Sequence, residues 1–234
     1  MPADLALITG ASRGIGRATA KMFAELGLMV LVTARSKRDL ANLQSEIGDQ
    51  GGACDYICAD LSALADVNQI INQIKSSNKK VSVLVHSAGI AKVGKIESFS
   101  QEDWDKTLTT NLTAPFLLTQ ACLPYMKKNA HIFFINSVAG RQVFPEWAGY
   151  SVSKWGLRAL AETLRLELAG SAKKVTSVFP SSVDTALHDK LPYHWDRSQM
   201  LKDTDVAKAI IMCYRQSATV QVKEIDIDNL ADLF

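Results

Sequence analysis

The chain has 234 residues, 47% of them hydrophobic, which is material for the core of one large α/β domain. Its formal net charge of +2 offers no electrostatic case for nucleic acid, and no run reaches the roughly 18 to 20 apolar residues a membrane helix needs. Cysteines 54, 58, 122 and 213 make no disulfide framework, and His86, His131, His188 and His194 lack metal-ligand spacing, so no metal is expected.

The first apolar run, Leu5 to Thr9, reads as a buried strand. Because the chain runs almost directly into it, no cleaved signal is expected and the cytoplasm is the expected location. Gly10-Ala11-Ser12-Arg13-Gly14-Ile15-Gly16 follows, opening a helical pattern from Arg17 to Leu26. A strand feeding a glycine-rich turn at a helix N-terminus is built to hold a pyrophosphate. Glycines admit the anion close to the backbone, and unpaired N–H groups with the helix dipole stabilise it. The spacing Gly-x-x-x-Gly-x-Gly differs from the general Gly-x-Gly-x-x-Gly.

A second strand, Met29 to Thr33, leads into Ala34-Arg35-Ser36-Lys37-Arg38. An acid at this strand end would accept a hydrogen bond from a ribose 2′-hydroxyl, whereas an arginine accommodates a 2′-phosphate. The acid is absent, and Arg35 and Arg13 supply two guanidinium forks suited to phosphate oxygens. The expected cofactor is therefore NADPH rather than NADH.

Further along, Ala53 to Ala59 reads as strand three, Ala63 to Lys75 as its helix, and Val81 to His86 as strand four. A long helix is predicted from Gln101 to Met126, with Asn111 near its middle and Pro124 bending or ending it. His131 to Ile135 is strand five, which puts Ser137 just beyond its carboxyl end, the edge where open α/β sheets bind ligands. The next helix carries Tyr150 and Lys154 and runs to about Ala169. Lys174 to Phe179 is strand six and Val222 to Ile227 strand seven. Such alternation, with no linker or repeat, implies a single domain over residues 1–234 built on a parallel sheet with helices on both faces.

Tyr150 and Lys154 are spaced to share one helix face. A free tyrosine titrates near 10, and a neighbouring ammonium that lowered this by roughly three units would supply about 4 kcal/mol of differential stabilisation. Residues 183–203 fit neither period and carry Leu187, Leu191, Pro192, Tyr193, Trp195 and Met200 on a polar background. Two readings stand: a substrate lid with an apolar underside, which its position favours, or a surface connection. Phe144 and Trp147 are candidates for the opposite wall of the cleft, or for core.

These motifs resemble the classical short-chain dehydrogenase/reductase family over residues 5–185, and in the family's order. Thr9 to Gly16 resembles its cofactor turn, with Gly10, Ser12, Arg13, Gly14, Ile15 and Gly16 as the contacts. Asp60-Leu61 resembles its adenine-binding pair, and Ser87-Ala88-Gly89 stands where Asn-Ala-Gly is usual. Asn111, Ser137, Tyr150 and Lys154 match the family's catalytic tetrad. Pro180-Ser181-Ser182-Val183-Asp184-Thr185 resembles the Pro-Gly-x-Val-x-Thr segment beside the nicotinamide, where Pro180, Val183 and Thr185 would touch the cofactor. The departures are Ser87 and Ser181. The latter matters if its backbone needs a positive φ.

The resemblance implies a Rossmann fold with strand order 3-2-1-4-5-6-7 and a homodimer or homotetramer built on the helices of Asn111 and Tyr150. It also implies NADPH-dependent reduction of a ketone or aldehyde to an alcohol. Tyr150 would protonate the developing alkoxide, and Ser137 would hydrogen-bond the substrate oxygen. Lys154 would lower the tyrosine pKa and hold the nicotinamide ribose, while Asn111 would position a water leading to Lys154. Two other readings remain: a 3-oxoacyl-thioester reductase, for which Arg141 and Arg197 are possible carrier contacts, and a non-catalytic NADP(H)-binding regulator on the same fold.

Overall fold

A computed structural model describes residues 4–77, 79–194 and 196–230. Strands β1 (Leu5–Thr9), β2 (Met29–Ala34), β3 (Ala53–Cys58), β4 (Val81–His86), β5 (Met126–Ile135), β6 (Lys174–Pro180) and β7 (Glu224–Ile227) form one sheet. Its order is β3-β2-β1-β4-β5-β6-β7, and every neighbouring pair is parallel. The strand order that the resemblance implies is thus the one observed.

Side chains alternate across the sheet, so each inner strand feeds two cores. Leu5 and Leu7 join one apolar cluster, whereas Ala6 and Ile8 join the other. Helices α1 (Gly14–Glu25), α2 (Lys37–Asp49) and α7 (Asp203–Tyr214) cover the Ala6 face through Phe23, Leu43 and Ile210. Helices α3 (Leu64–Ser76), α5 (Ala114–Cys122) and α6 (Ala148–Glu167) cover the Leu5 face through Ile70, Leu118 and Leu157. Each such fully buried side chain stabilises the fold by roughly 1.5–3 kcal/mol, more than the ~1 kcal/mol of a typical helix cap. Packing therefore decides these helices.

The long helix predicted from Gln101 to Met126 is interrupted. Helix α4 (Gln101–Leu108) passes into a wide π turn, Thr109–Thr113, before α5 begins. Pro115 has no N–H to offer the carbonyl of Asn111 in an α-helical turn. The chain widens there instead, with Ala114 N–H reaching back to the Thr109 carbonyl. A 3₁₀ turn at Leu123–Tyr125, around Pro124, ends the segment. Strand β5 starts at Met126 rather than His131, because Met126 pairs with Val81 before an irregular stretch restores register at His131 and Val83. Strand β7 starts at Glu224 rather than Val222. Helix α7, which the sequence reading leaves unassigned, packs Val206, Ile210 and Ile211 against α1 and the sheet.

Candidate active site

The carboxyl ends of the central strands open into a cleft of about 880 Å³. At one end lies the glycine turn. Gly10 has φ +68°, and a Cβ there would stand 2.6 Å from the Ala88 Cα; a Cβ on Gly16 would stand 2.6 Å from the Gly10 carbonyl oxygen. Both contacts are with backbone, so only glycine lets β1, the turn and the end of β4 meet. Thr9 secures that meeting from beneath, its hydroxyl oxygen accepting from the N–H groups of Ser87 (3.1 Å) and Ala88 (3.2 Å). The backbone at Ser87, where the family usually has asparagine, is thus held by Thr9.

Gly10, Ser12, Arg13, Gly14 and Ile15 line the cleft, whereas Gly16 lies behind it as the packing partner of Gly10. Arg13 and Arg35 both line it and are exposed, and among the described residues neither guanidinium has an ion pair or side-chain hydrogen bond. Asp60 and Leu61 stand beside them. Partial burial opposes the Asp60 charge. The Ser62 N–H and hydroxyl, with the Arg35 and Lys106 charges, outweigh it and hold the carboxyl below its usual range.

Toward the other end lie Ser87, Ala88, Gly89, Ser137, Tyr150, Lys154, Pro180, Val183 and Thr185. Ser137 accepts from Ala139 N–H at 3.1 Å and lines the cleft together with Tyr150. Burial pushes the Tyr150 phenol up to about 12, partly countered by the Ser137 hydroxyl, so the phenol keeps its proton. Burial likewise pulls Lys154 down to about 8. Its Nζ donates to the Ile135 carbonyl at 2.8 Å and lies 5.5 Å from the Tyr150 ring centroid. The expectation that Lys154 lowers the tyrosine pKa is therefore not met in this geometry, because the ammonium points at a strand carbonyl and desolvation dominates both groups.

A stability consequence follows for Lys154. Its folded pKa lies below the unfolded 10.5, so between about 8 and 10.5 the unfolded chain binds the extra proton and stability rises with pH. Lys154→Met, which removes the desolvated charge, should therefore match or exceed the wild-type Tm at pH 7. Its advantage should shrink as pH rises toward 10.5, as thermal melts at stepped pH would show. A gap that widened with pH would contradict the burial argument.

Asn111 does not line the cleft. Its Oδ1 accepts from Ile90 N–H (2.9 Å), and its Nδ2 donates to the Ile90 carbonyl (2.9 Å) and to Ser153 Oγ (3.0 Å). Ser153 in turn donates to the Tyr150 carbonyl. The amide is thus a brace between the segment after β4 and the helix of Tyr150. Sequence reasoning missed a second brace. Asn136 accepts from Ser137 N–H at 2.9 Å and donates to the Lys154 carbonyl at 3.1 Å, holding the serine turn to α6. Only its position beside Ser137 hinted at this.

The substrate-side candidates Phe144 and Trp147 both line the cleft, with Trp147 edge-on to Tyr150 at 5.4 Å between centroids. Leu187 and Leu191 of the 183–203 segment pack with them around Tyr150. That segment leaves and returns at one point, where Val183 pairs with Leu201. Trp195 lies outside the described residues. Arg197 grips Asp184 (2.5 Å) and Asp189 (2.8 Å) and donates to the Thr185 carbonyl. Ser181 has no positive φ, so its backbone does not need glycine, and its hydroxyl accepts from Asn229 N–H at 3.2 Å. Among the described residues no cluster of potential metal ligands is present, and no helix is long and apolar enough to cross a membrane.

Comparison with known proteins agrees with this geometry. Sepiapterin reductase of Chlorobaculum tepidum is 34% identical over 228 residues, covering 94% of this chain and 93% of that protein. A 3-oxoacyl-acyl-carrier-protein reductase of Thermotoga maritima is 32% identical over 188 residues, covering 80% and 76%. Among solved structures, a metagenomic short-chain oxidoreductase in complex with NADP superposes with TM-score 0.85 at 29% identity, covering 97% of this chain and 96% of that one. A blue fluorescent protein from a metagenomic library, in complex with NADPH, has TM-score 0.87 at 26% identity, covering 97% and 96%. A sequence model of the short chain dehydrogenases matches residues 4–194, and the chain belongs to that family of oxidoreductases.

Proposed function

We propose that this protein reduces an uncharged ketone or aldehyde to an alcohol with NADPH, using Tyr150 as the general acid. The observation that carries the reading is a buried, proton-retaining Tyr150 that shares with Ser137 and Lys154 the apolar end of a cleft whose other end is a glycine turn flanked by two arginines. The cofactor fits the residues present. Gly10 and Gly16 let the turn close tightly against the end of β4, so that its backbone borders the cleft, and Arg13 and Arg35 suit a 2′-phosphate. When bound, NADPH supplies the hydride. Tyr150 gives its hydroxyl proton to the substrate oxygen, and Ser137 donates a hydrogen bond to the same oxygen as charge builds there. Lys154, next to Tyr150, is the nearest group to restore that proton. The Asn111 carbonyl, which Pro115 cannot satisfy in an α-helical turn, is where a water leading to Lys154 would dock. Residues 183–203 serve as the lid, with Leu187 and Leu191 excluding water from Tyr150.

The acyl-carrier reading loses its two candidate contacts, since Arg141 is engaged by Glu224 and Asp226 and Arg197 by Asp184 and Asp189. The test is NADPH oxidation followed at 340 nm with a panel of ketones, aldehydes and a 3-oxoacyl thioester. Turnover with small ketones or aldehydes is expected. Cofactor binding without turnover of any carbonyl would leave the regulator reading standing instead. A homodimer is part of the proposal, because Phe116 of α5 and Val152 and Trp155 of α6 are exposed on the helices of the site. Sedimentation velocity of the wild-type protein checks it, and a monomer at micromolar concentration would contradict it.

A further inference from the structure

Glu146 is the one residue other than glycine that has a positive φ among the described residues, at +69°. A glutamate adopts this conformation only where its surroundings over-determine it, and such strain gathers at functional sites. Two bonds hold it. Gly94 N–H donates to the Glu146 carbonyl at 2.8 Å, and the Tyr193 hydroxyl donates to Glu146 Oε2 at 2.9 Å. The first ties the turn before α6 to the segment after β4. The second ties it to the segment between Val183 and Leu201. Three chain segments that border the cleft therefore converge on one residue.

What the convergence fixes is the ring of Trp147, the next residue. Tyr193 lies almost parallel to that ring, 6.3 Å between centroids with 10° between planes. Trp147 lines the cleft, and the Tyr193 ring backs it by stacking on the indole. The indole in turn meets Tyr150 edge-on, and Phe144 meets the indole edge-on at 6.5 Å. Around Tyr150 pack Ala91, Ala139, Leu187 and Leu191. A wall of aromatic rings held at a set angle favours a flat ring on the substrate over an alkyl group of similar reactivity.

We propose that Glu146 and Tyr193 form a latch that orients Trp147 and so selects uncharged carbonyl compounds whose carbonyl carries an aromatic ring. This rests on the carbonyl-reductase reading above and adds its substrate class. Neither residue touches the reacting atoms; both are positioning residues.

The test compares ethyl benzoylformate with ethyl pyruvate, two α-keto esters that differ in a phenyl against a methyl group. The wild-type KM is expected to be about tenfold lower for the phenyl ester. Tyr193→Phe keeps the ring and loses the hydroxyl; it should raise the phenyl-ester KM roughly fivefold, several times more than it changes the methyl-ester KM or kcat. Glu146→Gln, which keeps an acceptor oxygen for the Tyr193 hydroxyl, should retain most of the preference. Glu146→Gly relieves the backbone and removes the carboxylate, so its Tm should equal or exceed wild type while the phenyl-ester KM still rises. A mere structural role predicts the opposite pairing, with Tm and both KM values moving together, and that result would overturn the latch. Equal wild-type KM values with turnover intact would overturn the latch alone. Reduction of neither ester, nor of any other carbonyl, would remove the reading beneath it as well.

Discussion

Tyr150→Phe is expected to lower kcat by about a thousandfold or more while the Kd for NADPH changes by no more than about twofold. The loss corresponds to about 4 kcal/mol of transition-state stabilisation, the size expected when a positioned proton donor is removed. The ring itself is retained, so the packing with Trp147, Ala139 and Leu191 persists and the fold should not suffer. Stopped-flow single turnovers with pre-bound NADPH separate the chemical step from binding. Preserved single-turnover rates would refute the assignment of Tyr150 as acid, and a parallel collapse of NADPH affinity would mean the phenol serves binding instead.

The second large effect concerns cofactor choice. Arg13→Ala combined with Arg35→Asp should shift the ratio of kcat/KM for NADPH over NADH by about a hundredfold or more. Each charge-assisted bond to a phosphate is worth roughly 1.5–3 kcal/mol, and an aspartate adds repulsion against the same group. Both arginines are exposed, so salt screens part of this, and the wild-type KM for NADPH should rise with ionic strength while that for NADH stays flat. An unchanged coenzyme ratio in the double variant would mean the selectivity lies elsewhere.

Much of this was legible in the residues. The inner strands are apolar runs closed by glycine or a polar residue, and β1 and β4 have the bounds their sequences suggest. The i, i+4 spacing of Tyr150 and Lys154 does put both at the cleft, because it survives in any regular helix. What the residues concealed depends on partners distant in the chain. Nothing local marks Thr9 as the pin for Ser87 and Ala88, or Asn136 as the tie between Ser137 and α6. The charge balance of the pair was concealed too. Spacing says that an ammonium is near a phenol, but only the depth of both groups and the Ile135 carbonyl show which way each titrates. The π turn was readable in principle from Pro115. The apolar periodicity running on either side of it hides the break. At the weakly buried sheet edge, β7 has few apolar residues to mark where it starts.

One more consequence comes from Arg141, four positions after Ser137. Its guanidinium is clasped by Asp226 and Glu224 of the last strand, and Arg158 of α6 shares Glu224. Those two carboxylates lie 83 and 85 positions further along the chain, so during synthesis the serine turn gains its outer buttress only once β7 has emerged and docked. A chain without β7 would keep Ser137, Tyr150 and Lys154 yet leave Arg141 without these two partners.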